Sequence, residues 1–243
     1  MTHANRLLAA VEPDILGKFE AELELVELGQ GDVLHLPGAV VEEVFFPEGA
    51  LIGVVTGAPS GEALQTCLVG SDGALGAFEA CGTRRNMFLA EVHAPGAAWR
   101  MTAADYRRLF DASAGLRTAV HMYVELQLTE ARQFVACNAL HAVEARLART
   151  LLEASDRWGG PTVPITQKVL AEALGVQRTT VSTALSELER PGAVRGRRGA
   201  VEIVDAEALE RMACSCRRLL LQARAEIEAS PEQSCDAGLV KAA

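Results

Sequence analysis

The sequence predicts an α+β chain: an N-terminal β jelly roll, a long dimerisation helix and a C-terminal winged helix-turn-helix. Three observations predict it. Short apolar runs punctuated by glycine and proline fill residues 22 to 102. The pattern turns helical at Ala103 and stays so to about Arg157. Finally, ITQKVLAEAL is followed at once by GVQRTTVSTALSELER, two helix-like segments meeting at a single glycine. The expected parts are a β-barrel domain over 1–110, the long helix over 111–137, the winged helix-turn-helix domain over 138–212, and a terminal helix and tail over 213–243.

Residues 4 to 20 read as a short helix. The runs LELVEL, DVLHL, EEVFF, ALIGVV, ALQTCLV and FLAEVHA then read as strands, and their regular spacing suggests a sandwich or jelly roll. In the helical stretch, Leu116, Val120, Tyr123, Leu126, Phe134 and Cys137 recur at intervals of three and four. A long helix with such a face between two domains is expected to meet its twin, so Leu116, Val120, Tyr123, Gln127 and Phe134 are the candidate dimer seam. The competing arrangement packs that face against the chain's own barrel.

Val181, Leu185 and Leu188 fall at i, i+4 and i+7 and define the buried stripe of the second of the paired helices. The opposite face holds Thr179, Ser182, Thr183, Ser186 and Arg190. Upstream, Leu170, Ala173 and Leu174 form a similar stripe, Thr166 is placed to cap the first turn, and Gly175 suits the left-handed residue that ends that helix. The second helix can lie in a DNA major groove, where guanidinium and amide groups match guanine and adenine edges. After Pro191 and Gly192, the segments Ala193–Arg195 and Ala200–Val204 read as a hairpin carrying Arg195, Arg197 and Arg198. Thr166, Gln167, Gln177, Arg178, Thr179, Ser182, Thr183, Arg197 and Arg198 are the candidate DNA contacts.

Net charge is −9, but it is uneven: residues 1 to 137 hold 9 Lys+Arg against 18 Asp+Glu, and residues 138 to 218 hold 12 against 10. Contact with nucleic acid is therefore confined to local patches of the second half. No segment approaches the ~18 to 20 apolar residues of a membrane span, and the N-terminus lacks a long apolar signal core, so the cytoplasm is the expected location. The six cysteines have irregular spacing and are expected to be reduced thiols.

The order of barrel, long helix and winged helix-turn-helix resembles the Crp/Fnr superfamily of bacterial transcription regulators. NALHAVEARLARTLL followed by ITQKVLAEALGVQRTTVSTALSELER carries the resemblance most specifically. It implies a homodimer on a two-fold symmetric operator of double-stranded DNA, with RNA polymerase as a further partner. By the same resemblance Gln177, Arg178, Thr179 and Thr183 occupy phosphate- and base-contacting positions, with Thr179 where cyclic-AMP-responsive members have a glutamate.

In cyclic-nucleotide binders a Gly-Glu-Leu segment holds the ribose and an arginine-serine or arginine-alanine pair holds the phosphate. Here Ala74 stands where the glutamate would be, and Asn86 and Met87 near the pair, with Arg84 and Arg85 two residues away. Control by cyclic AMP or cyclic GMP is not expected, because a buried phosphate without a cation is strongly disfavoured.

No cofactor and no metal are expected either. An N-terminal iron–sulfur cysteine cluster is missing, since the first cysteine is Cys67; a haem would need His35, His93 or Cys67; and Cys214 and Cys216 form a C-x-C with no paired second knuckle following it. Ser60, Asp72 and His93 lack the strand-elbow-helix context of a hydrolase nucleophile, so the chain is not expected to be an enzyme. The alternative reading is an interaction module whose winged helix contacts a protein partner and not DNA.

Overall fold

The structure, a computed structural model, describes residues 3–57 and 63–229. The N-terminal segment is not one helix. Asn5 caps α1 (Arg6–Ala9), Pro13 opens α2 (Pro13–Leu16), and a 3-10 turn follows at Glu20–Glu22. Proline lacks the N–H that a continuing helix would need, so it starts a new helix there.

Seven antiparallel strands form the barrel: β1 (Glu24–Leu28), β2 (Val33–His35), β3 (Glu43–Pro47), β4 (Leu51–Gly57), β5 (Ala63–Val69), β6 (Leu89–Ala94) and β7 (Gly96–Thr102). They pair in the orders β1-β7-β3 and β2-β6-β4-β5. Six of them coincide with the apolar runs. The seventh, β7, is hidden in sequence by the small residues of GAAWRMT, yet it is central, with Trp99 opposite both Leu25 and Phe46. Helix α3 (Ala77–Cys81) interrupts the strands, and α4 (Ala103–Ala112), capped by Thr102, closes one end of the barrel.

Helix α5 (Ala114–Leu140) begins at Ser113, whose hydroxyl accepts from the Leu116 N–H at 2.9 Å, and runs three residues beyond the expected end at 137. For Leu116, Val120 and Tyr123 the competing arrangement holds, with the face packed against the chain's own barrel. Leu116, Val120 and Tyr123 are 0%, 3% and 7% exposed and belong to the core formed with the barrel and α4. A Cβ on Gly73 would lie 2.2 Å from the Tyr123 ring, so that glycine lets helix and barrel touch. Gln127 is half-buried and bonded to the Tyr123 hydroxyl, and Phe134 lies beneath the Arg149 guanidinium, 4.4 Å from its ring centre. The row that stays exposed is Val124, Leu128, Ala131 and Val135, spaced four, three and four. Burying the first set satisfies the protomer's own core and leaves the second set without cover among the described residues.

The second half follows as α6 (Val143–Trp158), β8 (Thr162–Val163), α7 (Gln167–Leu174), α8 (Arg178–Glu189), β9 (Val194–Arg197), β10 (Ala200–Ile203), α9 (Ala206–Met212) and α10 (Cys216–Glu228). The barrel and this half share apolar contacts: Leu51, Leu68 and Ala94 of the barrel pack in one core with Leu147, Leu170, Val181 and Leu188. A buried ionic group ties them further. Arg157 of α6 reaches Asp72 at 3.2 Å and Glu130 of α5 at 2.6 Å, and Arg224 of α10 reaches Asp72 at 2.6 Å. At the far end of α5, three of the irregularly spaced cysteines, Cys137, Cys214 and Cys216, are buried in contact with one another as free thiols. No helix among the described residues is long and apolar enough to cross a membrane.

Candidate nucleic-acid interface

The paired helices have the predicted geometry. Thr166 accepts from the Val169 N–H at 3.3 Å and caps α7, whose other end is Gly175 in the left-handed region at φ +63°. Val169, Leu170, Ala171 and Leu174 are the buried side of α7, with Ala171 inside where the sequence pointed to Ala173. In α8 the buried residues are Val181, Ala184, Leu185 and Leu188, so Gln177, Arg178, Thr179, Ser182 and Thr183 face outward and are exposed. Gln167 is exposed at the first position of α7, while Thr166 is half-buried with its hydroxyl engaged in the cap.

The hydroxyls on α8 are ordered before any ligand arrives. Thr183 donates to the Thr179 carbonyl at 3.2 Å and Ser186 to that of Ser182 at 3.1 Å. Their oxygens remain acceptors, so the face offers short hydroxyl acceptors beside the Arg178 donor fork. No hydrogen bond or ion pair of the Arg178 side chain occurs among the described residues.

The wing pairs β9 with β10, Ala200 opposite Arg197 and Ile203 opposite Val194, around a turn with Gly199 at φ +75°. The main-chain N–H of Gly196 donates to the Glu189 carboxylate at 2.6 Å and holds the wing to the end of α8. Sequence reasoning missed one charge here. Glu202 on β10 lies across from Arg195 and receives Arg197 at 2.6 Å and Arg195 at 3.5 Å. Arg198, at the turn itself, is exposed and makes no ion pair among the described residues.

The Crp-like helix-turn-helix domain family matches residues 145–212. Among solved structures, the chain resembles TTHB099, a CRP-family transcriptional regulator from Thermus thermophilus. That likeness has 22% identity and a TM-score of 0.65 over 77% of this chain and 96% of that one. The c-di-GMP responsive global regulator CLP of Xanthomonas campestris is 14% identical, with a TM-score of 0.63 over 79% and 99%. FixK2 from Bradyrhizobium japonicum is 13% identical, with a TM-score of 0.64 over 79% and 98%. The chain has the Crp/Fnr fold and carries a Crp-like helix-turn-helix domain. No curated protein matches its sequence.

In the Crp/Fnr fold of this chain, a cavity of about 410 Å³ lies between the barrel and α5. Its polar lining comes from Thr56, Thr66, Cys67, Glu79, Asn86 and Gln127, and among the described residues no Lys or Arg lines it. Burial pushes the Glu79 carboxyl above its ordinary value and the Cys67 thiol up to about 12. Ala74 is buried and offers no acid for a ribose, and the Asn86 amide donates to the Leu36 carbonyl at 3.2 Å. Arg84 takes a left-handed backbone at φ 61°, and Arg85 donates to the Gly38 carbonyl at 2.9 Å, so Arg85 is engaged outside the cavity.

The remaining sequence candidates do not converge. Asp72 is held by Arg157 and Arg224, His93 is fully buried with neither ring nitrogen hydrogen-bonded among the described residues, and Ser60 lies outside the described residues. The His35 ring meets the Glu43 carbonyl at 3.1 Å. Burial pushes the His93 imidazole down to about 4, so it is neutral at pH 7.

Proposed function

We propose that the chain is a homodimeric transcription regulator that reads a two-fold symmetric operator with α8, and that neither cyclic AMP nor cyclic GMP switches it. The exposed α8 face, with Arg178 free at its N-terminal end beside ordered hydroxyls, carries this reading. Gln177, Thr179, Ser182 and Thr183 flank Arg178 at base edges; Thr166, Gln167, Arg197 and Arg198 meet phosphates. Arg197 first has to leave Glu202, whereas Arg198 is available at once.

Dimerisation uses the Val124, Leu128, Ala131 and Val135 row, whose spacing is that of a coiled-coil seam. Two copies then present two α8 helices about 34 Å apart, one turn of DNA. Val124, Leu128 and Ala131 also border the barrel cavity, so an occupant there would touch the seam directly. The lack of a cation among the described residues that line the cavity, together with the raised Glu79, favours a neutral or apolar occupant over a cyclic phosphate. The regulator acts in the cytoplasm, with RNA polymerase as its further partner.

The test uses an operator selected from random duplexes. Arg178→Ala should cost about 1–3 kcal/mol on that site, and Arg198→Ala should weaken all duplexes alike and reduce the salt slope by about 1. An Arg178→Ala protein that binds the selected operator as wild type does would remove α8 as the reading helix. Binding that is insensitive to salt would point instead to a protein partner.

A further inference from the structure

Where α5 ends, four side chains from two distant parts of the chain come together. Cys137 lies in the last turn of α5 and His141 is its C-cap residue, one turn later on the same side. Cys214 precedes α10 and Cys216 is its first residue. The three thiol sulfurs and one imidazole nitrogen all lie within 4.8 Å of one another. Cys137 Sγ is 3.5 Å from Cys214 Sγ, and Cys216 Sγ is 3.4 Å from His141 Nδ1.

We propose that Cys137, His141, Cys214 and Cys216 form a Cys3His site for a single thiophilic divalent cation, with zinc the best fit. Bonds of about 2.3 Å to sulfur and 2.0 Å to nitrogen in a tetrahedron put the ligand atoms roughly 3.5–3.8 Å apart, close to the spacing of this group. A polynuclear iron–sulfur cluster, with sulfides bridging its irons, needs its protein ligands spread more widely. The missing second knuckle of the C-x-C is therefore supplied by the C-x-x-x-H of CNALH, 73 residues before Cys214.

The surroundings suit a bound cation. The three thiols are buried and His141 is half-buried, which keeps bulk water from competing as ligand. Gln133 Nε2 donates to Cys216 Sγ at 3.0 Å, an outer contact of the kind that orients a thiolate. Three thiolates, an imidazole and a divalent ion leave about one negative charge. Arg149, buried and paired with Glu153 at 2.6 Å, lies within electrostatic reach of Cys137 and Cys214 to offset it. The Cys214 N–H also donates to the Ala145 carbonyl at 3.1 Å, so the ligand loop is strapped to the start of α6.

The site joins the end of the long helix to the segment that leaves the winged helix, across the bend between α5 and α6. A cation there fixes the angle at which the reading head leaves α5. Its removal frees that bend without touching α8.

Full-length protein purified under reducing, chelator-free conditions is assayed for zinc by mass spectrometry, and zinc-stripped protein is titrated with cobalt. Expected are about one zinc per chain and, with cobalt, the intense visible bands and thiolate charge-transfer absorption of a tetrahedral thiolate site. Cys216→Ser and His141→Ala should each fall below about a tenth of the wild-type zinc content. Cys81→Ser, an exposed thiol outside the group, should keep it. Folded, reduced wild type that takes up neither zinc nor cobalt would overturn the proposal. So would a Cys214→Ser/Cys216→Ser protein that retains its zinc. The cobalt titration needs only wild-type protein, so a variant that fails to fold does not blunt the test.

Discussion

Replacing Arg157 by methionine keeps the aliphatic stem and removes the cation at the centre of the buried ionic group. In wild type its guanidinium is 3.2 Å from Asp72 and 2.6 Å from Glu130, and the three side chains are 8%, 9% and 12% exposed. Burial alone would raise the Asp72 carboxyl, but Arg157 and Arg224 outweigh it and hold it below its ordinary value. After the substitution only Arg224, more exposed and 3.5 Å from Glu130, faces both carboxylates. Leaving a buried charge without its partner costs about 3–5 kcal/mol, against a typical total stability of about 5–15 kcal/mol. Urea unfolding at pH 7 measures the loss. Adding Asp72→Asn to Arg157→Met should return part of it, because the uncompensated charge goes with the carboxylate. A single variant within about 1 kcal/mol of wild type, or strict additivity of the two changes, would refute the reasoning.

Three further outcomes are expected. Because folding lowers the His93 imidazole from 6.5 to about 4, stability is complete above pH 6.5 and is lost as pH falls toward 4, by roughly 3 kcal/mol; His93→Leu should flatten this loss in unfolding curves taken between those values. Gly73→Ala places a methyl 2.2 Å from the Tyr123 ring and should cost about 1–3 kcal/mol, and unchanged thermal unfolding would show that helix and barrel are less tightly apposed. Leu128→Glu sets like charges against each other in the seam and should give monomers by sedimentation equilibrium, whereas an unaltered dimer would place the interface elsewhere.

The second half was the more legible, because its elements are short and each has one apolar stripe. Val181, Leu185 and Leu188 admit one phase, and Gly175 marks one break. Helix α5 defeated the same method because it is apolar on two sides. Leu116, Val120 and Tyr123 repeat at the same intervals as Val124, Leu128 and Ala131, and periodicity does not say which row the chain's own barrel covers. The cysteine group was lost to sequence separation, although Cys137 and His141 at i and i+4 were one readable half of it. Glu202 stands five residues after Arg197 in sequence, and only the hairpin's cross-strand register brings it beside Arg195 and Arg197.

The core that Leu51, Leu68 and Ala94 share with the winged helix limits how the chain can be cut. A fragment starting at α6 would keep α8 and its arginines yet uncover the apolar patch that the barrel normally shields. At about 25 cal/mol for each Å² of apolar surface exposed to water, that fragment would lose stability and gain a sticky face. Grafting this reading head onto another receptor therefore means transplanting a matching floor from the barrel as well. The same floor sets a threshold on movement, since any rearrangement that lifts the head has to wet the patch before it can turn α8.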